Sequence, residues 1–257
     1  MISLKDRIVL VTGASSGIGA ACAAAFAALG SRLLVCARRI ERLEEMAAGW
    51  REAHSVPVHA FKLDVTNPDS VASALAALPD EWKQIDVLVN NAGKALGLTT
   101  SYETTLEHID GMLDTNVKGL LYLNRGVVPG MIRRNSGHVI HIGSVAGRWV
   151  YPGGTVYCAS KHAVRAINEG LKMDLHGTAI RVSSVDPGLV ETEFSIVRFD
   201  GDENRAARVY EGVEALTAED VADAVIYCAT RPPHVNVNEL SLMCTDQSSA
   251  TMVSRKK

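Results

Sequence analysis

Tyr157 and Lys161 stand four residues apart within Tyr157-Cys158-Ala159-Ser160-Lys161, so a helix would place both side chains on one face. A free phenol titrates near pH 10, roughly, and an ammonium beside it favours the phenolate. Such a pair can exchange a proton with a substrate near neutral pH. The spacing alone is weak evidence, because it recurs by chance on exposed helices, and its weight comes from two other motifs. Thr12-Gly13-Ala14-Ser15-Ser16-Gly17-Ile18-Gly19 follows the apolar run Ile8–Thr12. Glycines there let the main chain approach a pyrophosphate, whose charge would meet the positive end of the next helix. The spacing is GxxxGxG, a partial match to the general dinucleotide fingerprint, and a turn that merely packs a helix on a strand is the alternative. The second motif is Cys36-Ala37-Arg38-Arg39, at the place where NAD-selective sheets carry an acidic residue. Arginine offers a planar fork of donors suited to a 2′-phosphate, which points to NADP rather than NAD.

The elements that must position these residues alternate along the chain. Apolar runs at Ile8–Thr12, Ser31–Cys36, Val58–Leu63, Ile85–Val89, Val139–Ile142, Ile180–Val185 and Glu239–Met243 read as strands. Helical patterns fill the intervals at Gly17–Leu29, Arg39–Ala53, Asn67–Leu78, Thr105–Arg134, Tyr157–His176 and Ala218–Thr230. Strict alternation predicts an α/β fold, a doubly wound and mainly parallel Rossmann-type sheet. No linker or composition break divides residues 1–257, so a single domain is expected. Residues 188–217 fall outside the alternation; a stretch this long in a compact domain reads as a substrate lid.

Composition excludes other classes. The chain has 257 residues, 47% hydrophobic and 21% charged, and 26 Lys+Arg against 29 Asp+Glu give a net charge of −3. That length and polarity suit a globule with a substantial core. The balanced charge gives no reason to expect nucleic acid or a membrane surface as partner. No apolar run reaches the roughly 18 residues a bilayer requires. Five scattered cysteines, without a CxxC pair, read as free thiols in a reducing, cytoplasmic setting. His138 and His141 would point to opposite faces of a strand, so no metal site is expected.

Along nearly its whole length the sequence resembles the short-chain dehydrogenase/reductase family. The resemblance is carried by Thr12–Gly19, Asp64-Val65, Asn90-Asn91-Ala92-Gly93, Asn116, Ser144, Tyr157 with Lys161, and Pro187-Gly188, in order and spacing. It implies a catalytic tetrad of Asn116, Ser144, Tyr157 and Lys161. Tyr157 would serve as general acid or base, Ser144 as hydrogen-bond donor to the substrate oxygen, and Lys161 as the group that holds the nicotinamide ribose and acidifies the tyrosine. Asn116 would support a water leading from the lysine to bulk solvent. For the NADP(H) cofactor the resemblance implies contacts from Gly13, Ser15, Ser16, Gly17, Ile18, Gly19, Arg38, Arg39, Asp64, Val65, Asn90, Asn91, Ala92 and Gly93. Tyr157, Lys161, Pro187, Gly188, Val190 and Thr192 complete that set.

Within the family the chain is most similar to NADP-dependent dehydrogenases of small 3-hydroxy acids, such as serine and allo-threonine. Ala37-Arg38-Arg39, Tyr151-Pro152-Gly153-Gly154, Glu191–Ser195 and Val197-Arg198-Phe199 carry that likeness. Reductases of sulfoacetaldehyde, or of bulkier aldehydes and ketones, share much of it, and a dinucleotide-sensing protein without turnover is a third reading. Lys94 and Arg148 depart from the subgroup's pattern and follow strands four and five. Either is a candidate, with Ser144, for contact with an anionic substrate, and Arg148 is favoured because a guanidinium can grip a carboxylate with two bonds. The resemblance also implies a homotetramer packed through the long helices, with Ala159, Ala163, Ala166 and Ile167 available at an interface or equally against the sheet. The tail Ser254–Lys257 is expected to fray.

Overall fold

A computed structural model describes residues 2–256. Among them, seven strands form one sheet: β1 (Ile8–Thr12), β2 (Arg32–Ala37), β3 (Val58–Lys62), β4 (Val87–Asn90), β5 (Gly137–Ile142), β6 (Ile180–Pro187) and β7 (Glu239–Leu242). Every pairing is parallel, in the spatial order β3-β2-β1-β4-β5-β6-β7. Nine helices accompany them: α1 (Gly17–Ala28), α2 (Ile40–His54), α3 (Pro68–Ala76), α4 (Leu106–Leu113), α5 (Leu120–Arg134), α6 (Thr155–Asp174), α7 (Phe194–Arg198), α8 (Glu203–Arg208) and α9 (Ala218–Thr230).

The central strands are buried on both faces, which is why they read as unbroken apolar runs. Alternate residues serve opposite cores. Val9, Val11, Leu33, Val35 and Val89 pack under α1, α2 and α9; Leu10, Leu34, Leu88 and Val139 pack under α3 and α5. The helix ends carry local signals. Asn67 caps α3 through Ser70 N–H ahead of Pro68, and Thr217 with Asp220 forms a capping box on α9. α2 and α5 end on left-handed residues, Ser55 (φ 54°) and Asn135 (φ 47°).

Three features differ from the sequence expectation. Thr105–Arg134 is not one regular helix: α4 passes through a wide π turn at Asp114–Gly119 before α5 begins. Close approach accounts for a glycine there, since a Cβ on Gly119 would stand 3.0 Å from the Val65 carbonyl oxygen. Residues 188–217 contain α7 and α8 and are tied at both ends, Val190 bridging to Leu216. The tail is also held: Ser254 N–H donates to Asp246 O at 2.7 Å and Lys256 N–H to Gly212 O at 2.8 Å, while Lys257 lies outside the described residues. Among the described residues, no helix is long and apolar enough to cross a membrane.

Strand order reverses between β1 and β4, so the loops leaving their carboxyl ends diverge and open a crevice.

Candidate active site

That crevice is one cavity of about 570 Å³ running from the glycine loop to Ser144 and Tyr157. Its floor is made of strand ends whose side chains hold the backbone in place. Thr12 Oγ1 accepts from Asn91 N–H (3.0 Å) and Ala92 N–H (2.9 Å), and Asn91 Nδ2 returns a bond to Thr12 O at 2.8 Å. The loops after β1 and β4 are thereby stitched together across the switch point. Gly13 has φ 66° and Gly17 φ 50°, and a Cβ on Gly13 would come within 3.1 Å of Ala92 Cα, so glycine is required on two counts. Gly17 and Ile18, in the first turn of α1, line the cavity, and no side chain caps that helix end. This cradle fits a pyrophosphate.

At the end of β2, Arg38 and Arg39 also line the cavity. Arg39 Nη2 donates to Ser16 Oγ at 3.0 Å and to Ser15 Oγ at 3.4 Å. Arg39 precedes α2, and its half-exposed guanidinium reaches back to the glycine loop. Asp64 does not cap α3; it closes a turn on Thr66, accepting from Thr66 N–H at 3.0 Å and Thr66 Oγ1 at 2.8 Å. Burial pushes its carboxyl up, but those two bonds and the charges of Arg38 and Lys94 outweigh it and leave the group below its usual range.

The reaction end is built by β5, α6 and the loop after β6. Ser144 follows β5 and accepts from Ala146 N–H at 3.1 Å. Tyr157 is 8% exposed and Lys161 7%, both on the inner face of α6. Lys161 Nζ lies 5.9 Å from the Tyr157 ring centroid and donates to Ile142 O at 2.9 Å. The expected acidification of the phenol is overturned in this geometry. Burial, then Tyr151, pushes Tyr157 above its ordinary value, and only the Ser144 hydrogen bond and the Arg198 charge oppose that. Lys161 is pushed down to about 8 by burial, against a weaker pull from Asp186. Desolvation is the largest influence on both groups of this buried helix face.

Four residues named from sequence do not line the cavity, each for a visible reason. Asn116 sits in the π turn, 2% exposed, with Oδ1 accepting from Lys94 N–H (2.8 Å) and Nδ2 donating to Lys94 O (2.8 Å) and Ser160 Oγ (3.0 Å). Its side chain is spent on the loop after β4. Asn90 points through the sheet, donating to Asn124 Oδ1 at 2.8 Å in a buried chain that continues to His141 and Asn168. Gly19 serves packing, since a Cβ there would collide with Gly13 O and Asn91 Nδ2. Arg148 turns to Glu239 on β7, Nη2 to Oε1 at 2.7 Å, next to Asp186, whose carboxyl is pushed up to about 7 by burial and by Glu239. The other residues assigned to the cofactor or to catalysis, from Gly13 to Thr192, line the cavity.

Lys94 lines it too, but away from the reaction end: burial and the Arg38 charge lower its pKa, while Asp64 is the first group to oppose them. Besides Lys161, a second cation faces Tyr157: Arg198, at the end of α7. Its guanidinium stands 5.6 Å from the Tyr157 ring centroid and 5.4 Å from that of Tyr151, donating to Tyr151 Oη at 2.8 Å and to Gly97 O at 3.2 Å. Sequence reading gave Arg198 no role. The available signal was an arginine inside the one segment that breaks the strand-helix alternation.

Comparison with known proteins agrees with this arrangement. Residues 7–203 match the short chain dehydrogenase family. An NADP-dependent 3-hydroxy acid dehydrogenase of Salmonella typhi is 48% identical over 244 residues, 95% of this chain and 97% of that protein. A sulfoacetaldehyde reductase of Chromohalobacter salexigens is 44% identical over 241 residues, 93% and 94% of the two chains. The closed form of a serine dehydrogenase complexed with NADP+ superposes with a TM-score of 0.91 at 46% identity, covering 98% of this chain and 100% of that one. With its parallel sheet, stitched glycine loop and Ser144, Tyr157 and Lys161 on one wall, the chain belongs to the short-chain dehydrogenase/reductase family.

Proposed function

We propose that the protein is an NADP(H)-dependent dehydrogenase that interconverts a small 3-hydroxy acid and its carbonyl form. The observation that carries this reading is a single cavity that joins a phosphate cradle and two arginines at one end to Ser144, Tyr157 and the Arg198 guanidinium at the other. Bound along it, the nicotinamide would supply or accept the hydride. The chain's own residues do the rest. Tyr157, kept protonated by burial, donates its proton to the carbonyl oxygen in reduction and is left as phenolate; in oxidation that phenolate form is the base that takes the hydroxyl proton. Ser144 hydrogen-bonds the same oxygen and stabilises its developing charge. Lys161 faces Gly93, where an added Cβ would stand 3.7 Å from Nζ, and can reach a ribose resting on that loop. Asn116 acts indirectly, by fixing the loop through Lys94.

Arg198 supplies the substrate's anionic end with a bidentate partner. Carboxylate and sulfonate both meet that requirement, and these are the groups implied by the substrates named in the relatives. Residues 188–217 then act as the lid that brings Arg198 over the substrate. Ala159, Ala163, Ala166 and Ile167 lie at least partly exposed on α6, and Gly170 opens onto free space, which supports assembly through this face into a homotetramer. Five buried free thiols accord with residence in a reducing cytoplasm.

The test is turnover of NADP with a panel of 3-hydroxy acids and neutral alcohols of similar size, followed by absorbance of the reduced cofactor. Hydroxy acids should be oxidised with NADP at much higher kcat/KM than with NAD. Arg198→Gln should raise KM for the acids about 10- to 100-fold and leave the neutral alcohols nearly unchanged. An equal rise for both would remove Arg198 from substrate binding.

A further inference from the structure

One short stretch of the lid touches the cavity along its whole length. Thr192 lies over the glycine loop, where a Cβ on Gly17 would stand 3.3 Å from Thr192 Cβ. Phe194 meets Tyr157 edge-on, ring centroids 5.7 Å apart, and Arg198 reaches Tyr151. Between Thr192 and Phe194, Glu193 spans to the start of α2: Oε2 is 3.3 Å from both Nη1 and Nη2 of Arg39, and Oε1 is 2.5 Å from Arg42 Nη2. The residues that would read the cofactor's ribose phosphate and the residue that faces the reacting centre are thus joined through five positions of chain.

The charges in that cluster are Arg39 and Arg42 against the carboxylate of Glu193, while the charge of neighbouring Arg38 acts on Asp64. Arg39 already donates to Ser15 and Ser16, so its guanidinium is shared. Glu193 is held below its usual carboxylate range, first by the Arg42 hydrogen bond and also by Arg39, so it is ionised at neutral pH. A 2′-phosphate brings a charge of about −1.5 to −2 to the same guanidiniums.

We infer that Glu193 is a latch that fastens the lid to the arginines of the 2′-phosphate site, and thereby a specificity-determining residue for the cofactor. Closure of the lid and binding of the phosphate draw on the same guanidinium of Arg39. The latch tempers affinity for NADPH, leaves NADH untouched, and loosens when the phosphate takes Arg39, after which Arg42 alone retains the lid. This inference rests on the NADP reading above.

Two variants test it, each compared with the unaltered protein by NADPH and NADH fluorescence titration and by hydrogen-deuterium exchange over residues 194–210 without substrate. Glu193→Gln should tighten NADPH about three- to tenfold, change NADH less than about twofold, and raise exchange over the lid. Arg42→Gln reaches the same latch from α2: it should raise lid exchange less, because the Arg39 contact still holds the lid, and loosen NADPH, because Glu193 then rests on Arg39 alone. Unchanged lid exchange in both variants, or an NADPH-to-NADH ratio that Glu193→Gln leaves alone, overturns the latch. An unaltered protein that prefers NADH overturns the cofactor reading itself, which separates the two failures.

Discussion

The floor and the lid of the cavity are held by different kinds of contact. In the floor, Thr12, Asn91 and Asn116 give their side chains to backbone groups of neighbouring loops, at 2.8 to 3.0 Å, with little exposed surface. In the lid, Glu193, Phe194 and Arg198 meet other side chains, and the ion pairs are partly exposed. Buried side-chain-to-backbone bonds leave expensive orphans when broken, whereas exposed ion pairs contribute about 0–1 kcal/mol each. The floor is therefore a fixed template and the lid an adjustable cover. A site that must orient a dinucleotide yet admit and release a small acid gains from that division.

Four substitutions or conditions sharpen or break this contrast, and the largest effect belongs to the floor's reacting group. Tyr157→Phe keeps the ring and its edge contact with Phe194 but removes the proton; kcat should fall roughly 10³- to 10⁴-fold while NADPH affinity in titration stays within about threefold. Asn116→Ala strips three hydrogen bonds from a buried position, and urea unfolding should show a loss of about 2–4 kcal/mol, with kcat reduced because the Lys94 loop loses its anchor.

Acid should find the buried layer beneath the floor. Burial lowers His141 from 6.5 to about 4, so between those values the unfolded chain takes up a proton that the folded one refuses. Stability is full above pH 6.5 and declines as pH falls toward 4, by about 3 kcal/mol from this group. His138, also held well below 6.5 by burial, adds to the same decline. Urea midpoints at pH 7 and pH 4.5 would read it, and His141→Gln should flatten the difference. The smallest effect is expected from Arg148→Gln: the side chain faces Glu239 outside the cavity, so KM for hydroxy acids should stay within about twofold. A large rise would restore Arg148 to the substrate site.

Particular residues show where sequence reading reached and where it stopped. Ala218–Thr230 is a helix with the bounds the pattern gives, and all seven strands overlap the apolar runs; the central ones betray themselves locally because they are buried on both faces, whereas the edge strands β3 and β7 are largely half-buried. Asn90 and Arg148 do not line the cavity, since a motif or a position after a strand does not say through which side of the sheet a side chain leaves. The π turn at Asp114–Gly119 carries no periodic signature distinct from the helices it joins.

Order of strands and helices, the glycine loop, the paired arginines and the tyrosine-lysine face were determined by the sequence alone, since each depends on residues within a few positions of one another. Whether the phenol is acidified, which second cation faces it, and what closes the cavity were decided only by the tertiary structure. Arg39 and Glu193 are 154 residues apart, and Tyr151 and Arg198 are 47 apart. The raised pKa of Tyr157 comes first from burial, a property of the packed molecule. Proton affinity and ion pairing depend on the surrounding dielectric and on distance, and both exist only once the chain has folded.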